Sequence, residues 1–447
     1  MLERENINKN ILTELFAGLN ANSYSYCVLR NYESLPESTG GSDLDIAVLP
    51  EEEDSVCRLV HEVVRKFGGE VIIEYRASAR VLRCLGCVDE KWWGLAVDLF
   101  SSIEYRGVEY IASKSVIKRS LYYKGIKVAE DCDANTIALA KELLSNGKTR
   151  KDHFTKAVDN YAQKGKSALT ILQKSFSPGT MDNIRDMLSI GSEDNDKVNH
   201  LVRMMRRDVL GPGWLGKIPS RIKNGVSRYR RLFRPPGVCL AVLGTDGAGK
   251  TTMIDAISPV LEQALHHKIQ YEHMRPNWLP DLGVSMRQRA ASDNKIVTNP
   301  HAQNPSGLIG SLIRLAYYAV DYHIGYWINI FPALVKRPHI CLFDRYYYDF
   351  LIDLKRMRIK LPQKIIRIAF LFAPQPSIVL CLGGNPEVIY ARKPETSLIE
   401  VTRQIQELKS LCQSNPRAIW IDTDVGFEDS KHQMLSAIKS AFEKIKR

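Results

Sequence analysis

The chain has 447 residues, of which 45% are hydrophobic and 25% charged, which is an ordinary globular composition. This excludes a wholly disordered chain, a collagen-like chain and a disulfide scaffold, and the nine scattered cysteines are expected to be reduced thiols of a cytoplasmic protein. The net charge of +12 favours polyanionic partners: nucleotides, nucleic acid or an anionic membrane surface.

Residues 1–130 show the short apolar runs of an α+β domain. The opening segment, MLERENINKN, lacks the apolar core of a signal peptide, so none is expected. A helix is predicted over Val56–Phe67. Strands are predicted at Tyr26–Leu29, Leu44–Leu49, Val71–Tyr75, Val81–Leu85 and Leu95–Phe100.

An acidic pair lies in the segment GGSDLDIAV, residues 40–48. Asp43 and Asp45 are two apart on a predicted strand, so both carboxylates are expected on one face. Adjacent carboxylates repel each other unless a divalent cation lies between them, and Mg²⁺ binds carboxylates together with substrate phosphates. Asp98, in LAVDLF of another predicted strand, would complete a metal cluster. The alternative is a solvated strand end near a turn.

The acidic pattern over Tyr24–Phe100 resembles the nucleotidyltransferase superfamily, of its small minimal type. The resemblance implies transfer of a nucleoside monophosphate from a triphosphate, release of pyrophosphate, and Mg²⁺ bound by Asp43, Asp45 and Asp98. Members of the superfamily have a Gly-Ser pair on the loop that binds the triphosphate. This chain has Leu29-Arg30-Asn31 at that position, where Arg30 could contact phosphate. The sequence leaves open whether this domain is catalytically active or vestigial.

Residues 131–210 are predicted to form an appended helical segment, with breaks at Ser177-Pro178-Gly179 and Gly191-Ser192. Residues 211–236 form a basic linker with seven Lys or Arg residues and no acidic residue, and its Gly and Pro residues predict a domain boundary. Three interpretations of the linker are open: contact with an anionic membrane, a solvated connection, or contact with nucleic acid, for which no recognised motif is present. Its apolar residues at near-helical spacing are Ile218, Ile222, Val226, Tyr229 and Phe233.

In residues 237–447 strands alternate with helices, which predicts a parallel α/β sheet. The apolar stretch Leu308–Val335 contains Arg314, Asp321 and His323, which favours a buried helical layer over a membrane span. Helices are predicted at Lys250–Leu265 and Ser430–Lys444. Strands are predicted at Val238–Leu243, His339–Phe343, Ser377–Leu382 and Ala418–Ile421.

The segment GTDGAGKT, residues 244–251, fits the phosphate-loop pattern G-x-x-x-x-G-K-[ST] between a predicted strand and a predicted helix. Glycines let backbone N–H groups turn toward phosphate oxygens, Lys250 can bridge the β- and γ-phosphates, and the Thr251 hydroxyl can bind Mg²⁺. The predicted nucleotide-binding residues are Gly244, Asp246, Gly247, Ala248, Gly249, Lys250, Thr251 and Thr252.

Asp344 and Arg345 follow the predicted strand that ends at Phe343. Ligands of open α/β sheets bind at the carboxyl ends of strands, so Asp344 is expected to face Mg²⁺ or the acceptor, and Arg345 a second anionic ligand. Asp246 is a lower-ranked alternative for accepting an acceptor proton.

The segments GTDGAGKTT, FDRYYYD and SIVLCLGGNPEVIYARK make residues 237–447 resemble the thymidylate kinase family of P-loop nucleotide kinases. The resemblance implies a parallel sheet wrapped by helices, a mobile lid, and transfer of the γ-phosphoryl group of ATP to a monophosphate, with Mg²⁺. Carried over, Lys250 and Thr251 hold ATP and Mg²⁺, and Asp344 supports the metal or the acceptor. Arg345 holds the acceptor, and the lid cations are Arg392 and Lys393.

The family's Arg-Glu-Pro element is matched here only by Met274-Arg275-Pro276-Asn277, without the glutamate. This half also looks like kinase-like proteins of bacterial surface-polysaccharide gene clusters, which implies a glycan or sugar-phosphate acceptor. Aromatic residues of the segment Asn277–Val335 are expected in the core or along an altered acceptor site: Tyr317, Tyr318, Tyr322, Tyr326 and Trp327.

The sequence therefore predicts a P-loop kinase joined to a nucleotidyltransferase-like domain, with ATP and Mg²⁺ and a nucleotide, sugar or glycan-linked acceptor. Two alternatives stay open. One is a nucleotidyltransferase with a regulatory P-loop half, and the other is a non-catalytic ATP-dependent scaffold at the membrane surface. Nucleic acid is not indicated as a partner, and the expected location is cytoplasmic, with peripheral binding to the inner face of the membrane as an option.

Overall fold

A computed structural model describes residues 2–191, 194–211, 225–226, 229–280, 307–353, 356 and 358–446. The chain divides into two compact units, Met1–Arg230 and Arg231–Arg447. Most of the predicted basic linker lies outside the described residues, including Ile218 and Ile222 of its predicted helical face.

The first unit is built on a seven-stranded mixed sheet in the order β3-β4-β5-β2-β1-β9-β8. β2 and β5 are parallel, while β4 pairs antiparallel with both β3 and β5. A separate hairpin pairs β6 with β7. The strands are β1 Tyr26–Val28, β2 Leu44–Val48, β3 Gly69–Arg76, β4 Arg80–Val88, β5 Lys91–Phe100, β6 Ser102–Tyr105, β7 Val108–Ala112, β8 Leu121–Tyr123 and β9 Ile126–Val128.

Helices cover this sheet and extend it. One core cluster joins α1 and α2 to the sheet, with Leu12, Val60 and Trp93 almost fully buried. A second cluster joins the hairpin to the helical segment. The helices are α1 Leu2–Ala21, α2 Glu53–Lys66, α3 Ser113–Ile117, α4 Asp131–Asn146, α5 Lys151–Lys164, a 3₁₀ helix Gly165–Leu172, α6 Pro178–Ile190 and α7 Asn195–Leu210.

The second unit contains a five-stranded sheet in the order β11-β12-β10-β13-β14, in which every pairing is parallel. Its central strand β10 is buried at every position, as expected for a strand that other layers cover on both faces. The strands are β10 Val238–Gly244, β11 Gln270–His273, β12 Ile340–Asp344, β13 Ile378–Gly383 and β14 Ala418–Asp422.

The helices of the second unit connect and flank these strands. The mixed α/β architecture with a parallel sheet agrees with the prediction for this half and is consistent with a kinase-like fold. The helices are α8 Lys250–Leu265, α9 Leu308–Val320, a π-helix Asp321–Ile330, α10 Phe331–Lys336, α11 Asp349–Ile352, α12 Gln363–Ala369, α13 Pro386–Arg392, α14 Leu398–Ser414 and α15 Phe427–Lys446.

The prediction of a helical layer at Leu308–Val335, in place of a membrane span, agrees with the structure, but only one face of these helices is buried. The segment is helical, and Leu315, Tyr322 and Ile330 are buried. Its other face carries exposed apolar side chains, such as Ile309 and Ile313, because no described element packs against them. Within the described residues, no helix combines the length and the hydropathy that a membrane crossing requires.

Candidate functional site

The phosphate loop leaves the carboxyl end of β10 and enters α8, the arrangement that the sequence predicted. Gly247 has φ +88° and Gly249 has φ +83°, in the left-handed region where only glycine is unstrained. A Cβ atom on Gly247 would lie 2.8 Å from the Ile389 carbonyl oxygen, so this loop conformation requires glycine.

Lys250 is the first residue of α8, and its side chain is buried beside the loop. Its Nζ donates to the carbonyl oxygens of Gly244, at 2.9 Å, and Thr245, at 3.0 Å. Burial, assisted by the neighbouring Arg345 guanidinium, lowers the pKa of Lys250 to about 8. An ammonium group that rests on the carbonyls of its own loop is positioned to contact an anion bound there.

A cavity of about 560 Å³ opens beside the loop. It brings together the predicted loop residues and the predicted lid cations Arg392 and Lys393. Lys393 Nζ pairs with Glu395 at 3.0 Å. The Thr245 hydroxyl is buried and has no hydrogen-bond partner within the described part of the chain. Together with the glycine geometry and the buried ammonium, it fits a nucleoside triphosphate with Mg²⁺. The cavity lining is Asp246, Gly247, Ala248, Gly249, Lys250, Thr251, Thr252, Met253, Arg392, Lys393, Thr423, Asp424, Gly426, Phe427 and Ser430.

The part of this lining that follows β14 was not predicted from the sequence. Thr423, Asp424 and Phe427 come directly after that strand, at the same carboxyl edge of the sheet as the phosphate loop. The predicted strand at Ala418–Ile421 contained the signal, because the residues after each parallel strand meet at that edge.

Asp344 ends β12, in register with Val242 of β10 and His273 of β11. Its Oδ2 accepts a hydrogen bond from the Tyr271 hydroxyl at 3.0 Å. Its Oδ1 is buried and has no hydrogen-bond partner among the described residues. A buried carboxylate oxygen without a donor is costly, so this atom is available to bind a cation or to accept a proton.

Arg345 connects Asp344 to the phosphate loop. Its guanidinium donates to Asp246 at 2.6 Å and to Asp349 at 2.7 Å, and Arg356 donates to the other oxygen of Asp246 at 2.7 Å. Burial opposes the ionisation of Asp246, but the two arginines outweigh it and lower its pKa to about 2. The structure thus assigns to Asp246 an arginine-holding role that its sequence position did not reveal.

A second buried ion pair lies just after β11. Arg275 Nη1 donates to Asp321 Oδ2 at 2.9 Å, while Asp321 Oδ1 accepts from the amides of Trp278, at 2.9 Å, and Leu279, at 3.0 Å. Met274 N donates to the Asp344 carbonyl at 2.9 Å, so the pair belongs to the same sheet edge. In the sequence, Asp321 was marked only as a charged residue that interrupts an apolar stretch.

The aromatic residues expected in the core or along an acceptor site differ in how deeply the structure buries them. Tyr322 and Tyr326 are buried, and Tyr322 packs edge-on against Tyr346 with ring centroids 4.9 Å apart. Tyr317 and Tyr318 are partly buried, while Trp327 is exposed.

In the first unit the structure brings the three predicted aspartates together. Asp45 of β2 is in register with Asp98 of β5, and ligand atoms of Asp43, Asp45 and Asp98 lie within 4.8 Å of one another. Asp43 precedes β2 and does not lie on a strand, so the predicted two-residue spacing along a strand was wrong in that detail. The proximity arises from the turn before β2 and from the β2–β5 pairing.

Two arginines contact this acidic cluster. Arg30 bonds Asp45 through Nε and donates to Asp43 through Nη2 at 3.2 Å, and Arg83 donates to Asp98 at 2.6 Å. Burial raises the pKa of Asp45 to about 6, although Arg30 acts against it. Asp45 Oδ1 is buried and has no hydrogen-bond partner in the ranges that the structure describes, and this oxygen and the three carboxylates fit a divalent cation. Arg83, in the run RVLRCLGC, gave no signal in the sequence.

A polar cavity of about 270 Å³ lies beside Arg30 and reaches the helical segment at α4 and α5. The Tyr32 hydroxyl donates to Asp131 at 2.7 Å at this cavity. Its lining is Arg30, Asn31, Tyr32, Glu33, Asp131, Ala134, Asn135, Ala138, His153, Lys156, Asp159 and Asn160.

Comparisons with known proteins found similarity over part of the chain. A thymidylate kinase of Xanthomonas euvesicatoria pv. vesicatoria (strain 85-10) is 29% identical over 161 residues, which are 36% of this chain and 62% of that protein. The chain therefore spans less than two thirds of this relative's length. A crystal structure of thymidylate kinase from Ehrlichia chaffeensis matches with 16% identity and a TM-score of 0.30, covering 45% of this chain and 97% of that one. No family model matches the chain.

Part of the chain is thus similar in sequence to a thymidylate kinase, which agrees with the predicted resemblance to a P-loop kinase. The comparisons lend no support to the nucleotidyltransferase-like prediction for residues 1–130.

Proposed function

We propose that the second unit transfers the γ-phosphoryl group of ATP to a nucleotide, sugar or glycan-linked acceptor, as part of bacterial surface-polysaccharide synthesis in the cytoplasm. One observation carries the proposal. The glycine-shaped phosphate loop holds the buried ammonium of Lys250 beside Asp344 and Arg345, at the carboxyl edge of a parallel sheet. The partial similarity to a thymidylate kinase supports the same reaction class.

The residues have separate tasks in this proposal. The loop amides and Lys250 hold the triphosphate, Thr251 would hold Mg²⁺, and Mg²⁺ would neutralise charge on the phosphates when bound. Arg392 and Lys393, which line the cavity, stabilise charge that develops on the transferring group. Asp344 and Arg345 position the acceptor.

Removing the Lys250 ammonium tests this proposal directly. Lys250→Ala should lower the rate of ADP formation at least about 100-fold, because a preorganised charge that stabilises the transition state is lost. Phosphorus NMR of ATP, Mg²⁺ and a pooled cell extract measures the ADP. Lys364→Ala, a substitution of an exposed lysine on α12, is the matched control and should leave the rate unchanged. A rate equal to wild type in Lys250→Ala would refute the proposal.

A second function is favoured by a specific observation in the first unit. The in-register pairing of Asp45 with Asp98, with Asp43 within ligand distance, supports a metal-dependent nucleotidyl transfer that releases pyrophosphate. These carboxylates would hold Mg²⁺, which would activate the attacking oxygen when bound.

Replacing Asp98 separates the two functions. Asp98→Asn keeps the size of the side chain and removes the charge, so pyrophosphate formation from nucleoside triphosphates should fall at least about 100-fold. ADP formation by the second unit should be unchanged. Asp182→Asn, at an exposed position of α6, is the control. Pyrophosphate formation that survives in Asp98→Asn, or that depends on Lys250, would exclude the first unit as its source.

A further inference from the structure

The arginines beside the phosphate loop are already neutralised by buried carboxylates. Arg345, which is 4% exposed, bonds Asp246 on the loop and also Asp349, which is 1% exposed, at the start of α11. If Asp246 moved away, Asp349 would still hold this guanidinium.

Arg275 is neutralised in the same way. It is 6% exposed, and its partner Asp321 is fully buried at the first turn of the π-helix. The amides of Trp278 and Leu279 fix the second oxygen of Asp321, so the carboxylate is held on both sides.

We call Arg275, Arg345 and Arg356, together with Asp246, Asp321, Asp344 and Asp349, the acceptor cluster. Its three guanidinium groups each contact a carboxylate of the cluster, and Lys250 Nζ lies 3.9 Å from Asp246, so the cations here are already neutralised by carboxylates. A phosphate dianion bound here would either face these buried carboxylates as a further negative charge or take an arginine from one of them, and both outcomes are unfavourable. An uncharged ligand would avoid this cost, because hydroxyl groups bond to paired carboxylates and guanidinium groups without separating them.

We propose that the acceptor is an uncharged compound with a free hydroxyl group, of the sugar, polyol or nucleoside class, and not a phosphate monoester. This inference rests on the phosphotransferase function proposed above. The acceptor oxygen bonds to the γ-phosphorus, and the bond from the γ-phosphorus to the β–γ bridging oxygen breaks. ADP leaves with that electron pair. The products are a phosphate monoester, ADP and one proton.

The proton of the hydroxyl group needs a base, and the structure offers one. Asp344 is 6% exposed, and its Oδ1 has no hydrogen-bond partner among the described residues. We assign proton acceptance to this oxygen. Asp246 is less suited because both of its oxygens already accept bonds from arginines. A phosphate dianion carries no proton to remove, so a free carboxylate oxygen would have no use with such an acceptor.

Two matched probe pairs test the acceptor class: thymidine with dTMP, and D-glucose with glucose 6-phosphate. Calorimetry with Mg²⁺ and a non-hydrolysable ATP analogue measures their affinities for the full chain. We expect the wild-type protein to bind neither phosphate probe more tightly than its uncharged partner. Tighter binding of either phosphate probe to the wild type would overturn the inference.

Two isosteric variants make the test independent of the natural acceptor. Asp349→Asn frees Arg345 from a carboxylate, and Asp321→Asn does the same for Arg275. Each should strengthen binding of dTMP or glucose 6-phosphate at least about tenfold relative to its uncharged partner, since a charge-assisted bond becomes available. Circular dichroism checks folding, and Asp255→Asn, at an exposed position of α8, is the control.

If neither folded variant gains affinity for a phosphate probe, the inference is wrong. This failure is distinguishable from failure of the proposed function. An enzyme whose ADP formation is lost in Lys250→Ala but which binds phosphate probes preferentially would retain the proposed function and refute only the acceptor class.

Discussion

Glu74 shows how a single side chain joins two elements of the first unit. It lies on β3 and pairs with His61 of α2 at 3.0 Å, while Arg80 donates to it at 2.7 and 2.9 Å. The His61 hydrogen bond, together with Arg80, outweighs burial and lowers the pKa of Glu74 to about 2. The usual pKa is 4.5, so the folded protein favours the charged form. The resulting stability is present above pH 4.5 and is lost as the pH falls toward 2.

We therefore expect Glu74→Gln to lower the free energy of unfolding of the first unit by about 1–2 kcal/mol at pH 7, after allowance for partial exposure. The difference in unfolding free energy between this variant and the wild type should fall to zero between pH 4.5 and about pH 2, because the wild-type carboxylate becomes protonated there. Urea denaturation at several pH values measures it. Glu70→Gln, on the same strand, is the control. A difference that does not change with pH would show that shape, not charge, determines the effect.

At the scale of elements, local sequence patterns predicted most of the strands and the loop that hold the site residues. The strands that became β1–β5, β10 and β12–β14 are apolar runs between polar residues, and the phosphate loop has its own motif. Strands β6–β9 have three to five residues each, too short for a clear period. β11, with the sequence QYEH, has no apolar run. α1 went unpredicted although Ile11, Leu15 and Leu19 lie four residues apart and are buried.

Some site residues were not predicted from the sequence because contacts between distant elements bring them together. Asp321 meets Arg275 across 46 positions of the chain, and Arg83 meets Asp98 from the neighbouring strand. No local spacing marks such pairs, because strand register and helix placement bring them together. The same holds for Asp45 and Asp98. The sequence suggested that these two carboxylates belong to one metal cluster, but the β2–β5 pairing is what brings them together.

At the scale of the whole molecule, two cores support two candidate reactions. The first unit has its own buried clusters around a mixed sheet, and the second has a separate cluster around a parallel sheet. Each unit also carries its own set of buried carboxylates paired with arginines. A ligand of one unit therefore stabilises that unit's core, and the effect on unfolding shows where the ligand binds.

We expect the full chain to unfold in two transitions, of which a non-hydrolysable ATP analogue with Mg²⁺ moves one. At a ligand concentration about 100 times Kd, linkage adds about 2.7 kcal/mol, which corresponds to a rise in Tm of about 5–10 °C for a unit of this size. Scanning calorimetry measures both transitions, and hydrogen exchange of α8 assigns the shifted one to the second unit. In Lys250→Ala the shift should shrink, since the buried ammonium no longer contacts the phosphates. A shift confined to the transition of the first unit would place the ATP site at the aspartate cluster, and a single transition that shifts as a whole would show that the units unfold together.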